Sequence, residues 1–300
     1  MSDKQKVGFI GVGLMGHGMA KNIVEKGYPL TVMGHKNKKP VKDLVKRGAK
    51  EAKSPKQLAA GCDVIFICVT SSIQVEDLVR RADGIKAGAR KGLIVVDCST
   101  SDPNSTLALA AELKPLGVRF IDAPLGRTPQ EATAGRLNTF VGADKKTLKE
   151  IRPLLETWAE NIIPVGKVGN GHTIKLINNF VAIASTAVYA EAVTTAAKAG
   201  LDIKTLTDVL TAGPLNCGLL QNIVVKGVVG GDAKAHQFSL RNARKDIGYY
   251  TDLADSIPVT STVGNAVKQS YTIAVNQGHG DDYMPRLCHA IAELNGAKVG

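Results

Sequence analysis

Three closely spaced glycines near the N-terminus form the arrangement best suited to binding a phosphate-containing cofactor. They follow the pattern Gly-x-Gly-x-x-Gly, directly after the apolar segment 6–10, and they open a helical pattern that runs to about Glu25. In this setting the first glycine permits a tight turn, the second lets backbone approach a pyrophosphate and the third allows close packing of helix on strand. The helix N-terminus also offers N–H groups to phosphates. The predicted dinucleotide-binding residues are Gly11, Val12, Gly13, Leu14, Met15 and Gly16.

The residues after the second predicted strand, 29–33, bear on which dinucleotide is bound. An NAD site usually has an acidic residue here, which accepts a hydrogen bond from the ribose 2′-hydroxyl. This chain has no carboxylate between the strand and Asp43, and it places His35 and Lys36 at the strand end. Basic side chains suit the 2′-phosphate of NADP. We therefore predict NADP, with NAD as the alternative if these residues only form a solvated basic loop.

The elements around this turn alternate between strand and helix through the first half of the chain. Further strands are predicted at 63–69, 92–97, 119–122 and 139–141, with helical patterns at 42–47 and 103–116. The strands are almost wholly apolar, which is typical of a parallel sheet covered on both faces. This alternation predicts an α/β Rossmann-type doubly wound sheet over residues 1–166.

The second half of the chain, residues 167–300, carries helical patterns only. They lie at 173–198, 203–211, 222–228, 241–254, 263–277 and 284–294. This predicts a C-terminal all-α domain that opens with a helix about 38 Å long. Such a helix can serve as a hinge and as an association surface, so we expect a homodimer or a homotetramer.

Bulk composition excludes several classes of protein. With 44% hydrophobic and 22% charged residues over 300 positions, the chain is ordinary for a globular protein. The N-terminus shows no signal-peptide pattern, and the most apolar helical stretch, 180–197, contains Glu191 among small and polar residues. A buried helix is favoured over a membrane span, and a cytoplasmic protein without membrane association is expected. The five cysteines show no paired or metal-ligand spacing, which favours free thiols and no metal.

The net charge of +11 raises the question of nucleic-acid binding. The basic residues are mostly scattered, and aromatic residues make up only 4% of the chain, so there is no stacking platform for single strands. A basic surface also attracts small anions. The charge therefore favours a small anionic substrate and an anionic cofactor over nucleic acid.

Four ordered motifs give the chain a resemblance to the β-hydroxyacid dehydrogenase family, which includes 3-hydroxyisobutyrate dehydrogenases and short-chain semialdehyde and sulfolactaldehyde reductases. The resemblance covers essentially the whole chain. The four motifs are the glycine signature 11–22, a substrate-binding segment at 122–128, a catalytic segment at 169–179 and Phe238 with Lys245-Asp246. By this resemblance the protein is an NAD(P)-dependent oxidoreductase that moves a hydride between nicotinamide and a small acidic hydroxy or carbonyl compound.

The resemblance assigns the catalytic role to Lys175. An ammonium can protonate the alkoxide that forms when hydride adds to a carbonyl, and a neutral lysine can accept the hydroxyl proton in the reverse direction. Asn179 lies four residues later, on the same helix face, where it can hold the substrate oxygen or orient the lysine. Without the family, a lysine in an apolar helix would most often extend to water.

The resemblance places further residues around the ligands. It implies that Ser99 lies near substrate or nicotinamide, that Val69 and Thr70 line the adenosine side and that Lys245 reaches the cofactor. As bare sequence features, Ser99 lies in a turn and Lys245 lies on a solvated basic face.

The chain departs from the family in two of these motifs. Gly18 stands where proline is common, and Gly126-Arg127-Thr128 replaces the usual Ser-Gly-Gly of the substrate motif. Arginine adds a permanent charge and a fork of donors suited to a larger anion. A Gly-Arg-Thr segment resembles sulfolactaldehyde reductases, so a sulfonate is predicted as a possible substrate group. The alternative is that Arg127 only forms a surface ion pair.

Several functions remain open on sequence alone. Within the family these are reduction of sulfolactaldehyde to dihydroxypropanesulfonate, reduction of glyoxylate or succinic semialdehyde, and oxidation of 3-hydroxyisobutyrate. Imine reduction is disfavoured by lysine at position 175, and the chain is too short for a complete 6-phosphogluconate enzyme. A non-catalytic NADP-binding module is the alternative from another class.

Overall fold

The computed structural model describes residues 4–299, and the chain divides into two compact units, Met1–Lys175 and Leu176–Gly300. The last six residues of the first unit, from Asn170, form the beginning of a long helix that continues into the second. The sequence-based domain boundary after residue 166 precedes this helix and stays a prediction.

A nine-stranded sheet forms the centre of the first unit. Its strands are β1 (Val7–Ile10), β2 (Leu30–Met33), β3 (Lys50–Glu51), β4 (Val64–Ile67), β5 (Ile94–Asp97), β6 (Arg119–Asp122), β7 (Leu125–Gly126), β8 (Leu137–Gly142) and β9 (Ala159–Gly166). The order is β3-β2-β1-β4-β5-β6-β8-β7, with β9 also paired to β8. Strands β1 to β6 pair in parallel, in the order expected of a dinucleotide-binding sheet, and the predicted fold class is confirmed.

Seven α-helices connect these strands. They are α1 (Gly16–Glu25), α2 (Lys39–Lys46), α3 (Pro55–Gly61), α4 (Ser72–Arg80), α5 (Pro103–Leu113), α6 (Pro129–Ala134) and α7 (Lys145–Leu155). The predicted helix over 103–116 is α5 followed by a 3₁₀ turn, and it stops at Gly117, whose φ of 71° is left-handed. Sequence inspection missed α3, α4, α6 and α7. Each begins after a capping side chain that accepts a backbone N–H: Ser54, Ser71, Thr128 and Asp144.

Apolar layers cover both faces of the sheet. Successive side chains of β4 point to opposite faces, so Phe66 belongs to one buried cluster and Ile65 and Ile67 to the other. On the first face, the Phe66 and Trp158 rings form a T-shaped pair at a centroid distance of 6.0 Å. This two-sided burial explains why the central strands are continuous apolar runs.

The second unit is helical, as predicted. The long helix is α8 (Asn170–Lys198), followed by α9 (Ile203–Ala212), α10 (Gly218–Leu220), a π-helix (Gln221–Val229), α11 (Leu240–Ser256), α12 (Thr262–Ala274), a second π-helical segment (Val275–His279) and α13 (Arg286–Leu294). Its core includes Ile183 and Val193 of α8 and the buried Tyr271, whose hydroxyl donates to the Ile183 carbonyl at 3.1 Å. Within residues 4–299, α8 alone is long and apolar enough to cross a membrane, a test that buried core helices also pass.

Candidate active site

The glycine turn between β1 and α1 combines two crowded positions with one open position. Gly11 has a φ of 93°, and a Cβ placed there would lie 2.1 Å from the Cys68 carbonyl oxygen. A Cβ at Gly16 would lie 2.0 Å from the Gly11 carbonyl oxygen. At Gly13, by contrast, an added Cβ meets nothing within 4 Å. Gly11 and Gly16 are therefore required by the fold itself, whereas Gly13 leaves space for a ligand.

The backbone at this turn suits a pyrophosphate. At the start of α1, the His17 N–H donates to the Gly13 carbonyl at 3.0 Å and the Met19 N–H donates to the Met15 carbonyl. Within residues 4–299, no backbone carbonyl accepts the N–H of Gly13, Leu14 or Met15. No acidic side chain occupies the first turn of α1. Donors without acceptors at the positive end of a helix fit the phosphates of a dinucleotide.

The Gly18 departure has a packing explanation. A Cβ at Gly18 would lie 2.6 Å from the Ala132 carbonyl carbon, because α1 packs closely on α6. The Asn22 amide secures this contact by donating to the carbonyl oxygens of Gly18 and Ala132, at 2.8 and 2.9 Å. A proline ring would not fit here, because the two helices are too close together at Gly18.

His35 and Lys36 are both exposed directly after β2, next to the glycine turn in the sheet order. The first carboxylate after that strand, Asp43, is already engaged by the His17 ring at 2.9 Å and by Arg47 at 2.8 Å. These hydrogen bonds, that of Arg47 first, lower the pKa of Asp43 below its ordinary value. Asp43 is therefore an ion-paired surface group and does not replace the missing ribose-binding acid.

Ser99 connects two strand ends at the carboxyl edge of the sheet. It is buried, its hydroxyl oxygen accepts the Val69 N–H at 3.0 Å, and its own N–H donates to Asp97 at 2.9 Å. It therefore joins the ends of β4 and β5. Thr70, beside Val69, is exposed, and its N–H and hydroxyl both donate to Gln74, at 3.0 and 2.8 Å.

The start of α8 is fixed to this edge by a buried carboxylate that sequence inspection did not single out. Asp122, at the end of β6, accepts the backbone N–H groups of Gly169 and His172, both at 2.8 Å. Burial raises the pKa of the Asp122 carboxyl, and the His172 ring and the two N–H donors act in the opposite direction. Because the N–H groups of Gly169, just before α8, and of His172, in its first turn, both donate to Asp122, the end of β6 determines where this helix begins.

The proposed catalytic residues lie near the start of α8. Lys175 is partly buried and Asn179 is buried, four residues apart on a continuous helix. Within the second unit, the Asn179 amide donates to the Asp246 carboxylate at 2.7 Å, and Asp246 is also paired with Lys245 at 2.8 Å. The Lys245 ammonium lies 4.9 Å from the centre of the Tyr249 ring. Asp246 therefore fixes the orientation of Asn179, a role that the sequence did not reveal.

The substrate motif has an unusual backbone. Gly126 ends β7, and Arg127 follows with a φ of 77°, in the left-handed region that favours glycine. The Arg127 Nη1 donates to the Arg136 carbonyl at 2.6 Å and to the Glu160 carboxylate. Thr128 caps α6 and donates its hydroxyl proton to Glu131. The ion pair that sequence analysis kept as an alternative for Arg127 is thus present.

Comparison with known proteins assigns both halves of the chain. The sequence profile of the NAD binding domain of 6-phosphogluconate dehydrogenase matches residues 6–166, and that of the NAD-binding region of NADP-dependent 3-hydroxyisobutyrate dehydrogenase matches 169–290. Mitochondrial 3-hydroxyisobutyrate dehydrogenase of Mus musculus is 31% identical over 284 residues, covering 93% of this chain and 84% of that protein. The chain belongs to the β-hydroxyacid dehydrogenase family.

Other members of the family are similarly distant. The 3-sulfolactaldehyde reductase of Escherichia coli strain K12 is 30% identical over 274 residues, covering 91% of each protein. The solved structure of Mycobacterium tuberculosis 3-hydroxyisobutyrate dehydrogenase with L-serine superposes with a TM-score of 0.85 at 26% identity, covering 96% of this chain and 99% of that one. This β-hydroxyacid dehydrogenase is therefore an NAD(P)-dependent oxidoreductase of the 3-hydroxyisobutyrate dehydrogenase type. The alternative of a non-catalytic module is not supported.

Within this β-hydroxyacid dehydrogenase, the structure groups only some of the predicted site residues. The sheet edge brings together the glycine turn, Val69 and Ser99, because β1, β4 and β5 are neighbours. Arg127 and Thr128 are instead bonded to residues around β9 and α6. Asp122, His172 and Asp246 lie inside the motifs but were given no role from the sequence. Asp97, at the end of the strand before Ser99, was not named as a candidate, and its position at a strand end was the available signal.

Proposed function

We propose that this enzyme reduces a small acidic aldehyde to the corresponding hydroxy acid, in a reversible reaction that uses NADPH in preference to NADH. 3-Sulfolactaldehyde is the substrate we favour, with glyoxylate, succinic semialdehyde and 3-hydroxyisobutyrate as alternatives. The observation that carries the substrate class is Arg127, an arginine kept at a backbone position that favours glycine. A bound nicotinamide supplies the hydride, which is added to the carbonyl carbon.

Lys175 is the proposed general acid and base. Hydride addition leaves a negative charge on the former carbonyl oxygen, and the Lys175 ammonium stabilises this charge and then donates a proton to it. In the oxidative direction the neutral amine accepts the hydroxyl proton as hydride leaves the carbon. Asn179 is proposed to act beside it, since its amide nitrogen is held by Asp246 and its second N–H can then be offered to the substrate oxygen.

The backbone of Arg127 supports a ligand-binding role. A left-handed conformation costs a non-glycine residue roughly 1–2 kcal/mol, so an arginine retained there requires a compensating use. Both of its polar contacts within residues 4–299 are made by Nη1, which leaves Nη2 and Nε as donors. A planar fork of donors matches the oxygens of a carboxylate or a sulfonate. Gly126, Thr128 and Ser99 complete the proposed substrate-binding set.

Replacing Arg127 with alanine tests the substrate class. We expect KM for an anionic aldehyde to rise about 10- to 100-fold, because a hydrogen bond to a charged group contributes about 1.5–3 kcal/mol. KM for methylglyoxal, which has no negatively charged group, should stay near the wild-type value. Oxidation of NADPH, followed by its absorbance with sulfolactaldehyde, succinic semialdehyde, glyoxylate and methylglyoxal, measures both effects.

Two variants separate recognition from general charge effects. Arg152→Ala removes a similarly exposed arginine that is ion-paired with Glu156 on α7, and it should leave KM unchanged. Glu160→Gln removes the carboxylate that competes for Arg127 and should lower KM for the anionic aldehydes. An unchanged KM in Arg127→Ala would leave Arg127 with only its surface ion pair. A lack of turnover with every aldehyde would refute the proposed substrate class.

The NADP preference is proposed to depend on His35 and Lys36. Both are exposed at the strand end where the ribose would lie, and Lys36→Ala removes one permanent charge there. We expect KM for NADPH to rise about tenfold and KM for NADH to change little, since an ion pair worth about 1.4 kcal/mol with the 2′-phosphate changes binding tenfold. Steady-state kinetics with each coenzyme measure the two values.

Lys46→Ala is the matched control for this variant, because Lys46 is an exposed lysine at the far end of α2 and its loss changes the net charge equally. It should leave both KM values unchanged. Equal changes for NADPH and NADH in Lys36→Ala would mean that Lys36 does not meet the 2′-phosphate.

We also propose a cytoplasmic homo-oligomer, a dimer or a tetramer, that binds neither nucleic acid nor membranes. Support comes from α8, whose exposed apolar residues Ile174, Val181 and Val188 recur every seven positions. A stripe of this spacing on one helix is typical of an association surface.

A further inference from the structure

We infer that His172 is a positioning residue for the reaction: it connects the turn after β5, which carries Ser99, to the N-terminal part of α8, which carries Lys175. The inference depends on the function proposed above. Its support is the arrangement of buried polar groups around the ring, all of them within the first unit.

The His172 ring is completely buried, and both of its nitrogens have partners. Nε2 lies 3.2 Å from the Ser99 carbonyl oxygen, and Nδ1 lies 2.7 Å from the Thr106 hydroxyl. A carbonyl oxygen can only accept, so Nε2 carries a proton and donates it to Ser99. The ring therefore connects α8 to the turn after β5 on one side and to α5 on the other.

Two carboxylates, those of Asp97 and Asp122, also form hydrogen bonds with these two segments. Asp97 accepts the N–H of Ser99 and the hydroxyl of Ser101, at 2.9 and 2.8 Å, while Asp122 accepts the N–H of His172. The nearest carboxylate oxygens of Asp97 and Asp122 lie 3.7 and 4.0 Å from the ring nitrogens. Each segment is thus attached to a strand end, and the His172 ring joins the two segments to each other.

The start of α8 has little room to move. A Cβ at Gly171 would lie 2.5 Å from the Phe140 carbonyl oxygen and 2.7 Å from the Asp122 carboxylate, so the helix backbone touches β8 and β6 directly. Lys175 follows His172 by three residues, less than one helical turn. A change at the His172 ring therefore changes the position of Ser99 relative to Lys175.

We expect loss of the His172 ring to lower the catalytic rate more than it weakens ligand binding. Reacting groups misplaced by 1 Å can lose about 100-fold in rate, while ligand contacts made elsewhere are retained. The ring itself has no exposed surface and both nitrogens are occupied, so His172 is not expected to touch substrate or cofactor. Its contribution is the geometry of the two residues that do.

Three substitutions test this role. His172→Gln can keep a donor at the position of Nε2, His172→Asn can keep only the contact toward Thr106, and Thr106→Val removes that contact but keeps the Ser99 bond. We expect kcat to fall about 10- to 100-fold in His172→Asn, with KM for NADPH within about twofold of wild type. His172→Gln and Thr106→Val should keep kcat within about threefold, whatever their melting temperatures.

Hydrogen–deuterium exchange provides a readout that does not need turnover. In His172→Asn, exchange should accelerate together in segments 97–101 and 169–175, and it should not accelerate there in His172→Gln. If wild-type enzyme reduces none of the aldehydes, the proposed function fails. The exchange pattern still tests whether His172 holds the two segments together. Unchanged exchange in His172→Asn, or a kcat that follows melting temperature across all three variants, overturns the inference.

Discussion

Replacing Lys175 with methionine is expected to lower kcat by about 10²- to 10⁴-fold, the range that general acid–base catalysis contributes in enzymes. Methionine keeps the length and apolar stem of lysine, so the packing of α8 is retained while the proton donor is lost. The Kd for NADPH should remain within about twofold, because Lys175 is not among the proposed cofactor contacts. Single-turnover oxidation of bound NADPH measures the chemical step directly.

Lys198→Met is the control for this substitution, since Lys198 is an exposed lysine at the other end of the same helix. It should have wild-type kcat and an unchanged pH–rate profile. Lys175→Met should in addition lose the limb of the profile that reports the acid. A Lys175→Met enzyme with normal kcat would show that the alkoxide takes its proton from another group or from water, and the proposed mechanism would be wrong.

Gly13→Asp is expected to abolish cofactor binding without disturbing the fold. The position is open in the protein, since an added Cβ meets nothing within 4 Å, but a pyrophosphate seated on the turn would face the new carboxylate. Two like charges about 4 Å apart at an effective dielectric constant of about 20 repel by about 4 kcal/mol, which is about a thousandfold in Kd. NADPH fluorescence titration measures Kd, and thermal unfolding measures stability.

Gly61→Asp is the matched control, because Gly61 also has open space around an added Cβ and lies away from the turn, at the end of α3. It should bind NADPH normally. Gly11→Ala provides the opposite contrast: its left-handed φ and the 2.1 Å approach to the Cys68 carbonyl predict a lower melting temperature. Normal NADPH affinity in Gly13→Asp would mean that the pyrophosphate is bound elsewhere.

The sequence identified the strands and helices whose apolar and polar residues follow a clear pattern over many positions. The parallel strands around Phe9 and Phe66 are continuous apolar runs because both sheet faces are covered, and α8 is a long helical pattern without internal proline. The two-residue strands β3 and β7 and the six-residue helix α6 carry too few side chains to show a period. Their capping residues were the available signal, as Thr128 at the start of α6 illustrates.

The partners of individual site residues were not predictable from neighbouring sequence. Arg127 meets Glu160, 33 residues away, because β7 and β9 both pair with β8. Asn179 meets Asp246 across 67 residues, because α8 and α11 contribute to one core. No local rule relates such positions, and the chemistry of each side chain depends on the partner it finds.

The sequence by itself determined the α/β sheet, the helical second half and the dinucleotide turn, because each depends on side-chain period or on residues adjacent in the chain. The proposed acid, Lys175, came from the resemblance to the family and not from such a pattern. Only the tertiary structure decided that the Cys68 carbonyl is the group that crowds Gly11, and that a buried histidine joins the turn after β5 to α8. These features depend on where strand ends and helix starts meet, and that is fixed by the packing of the whole first unit.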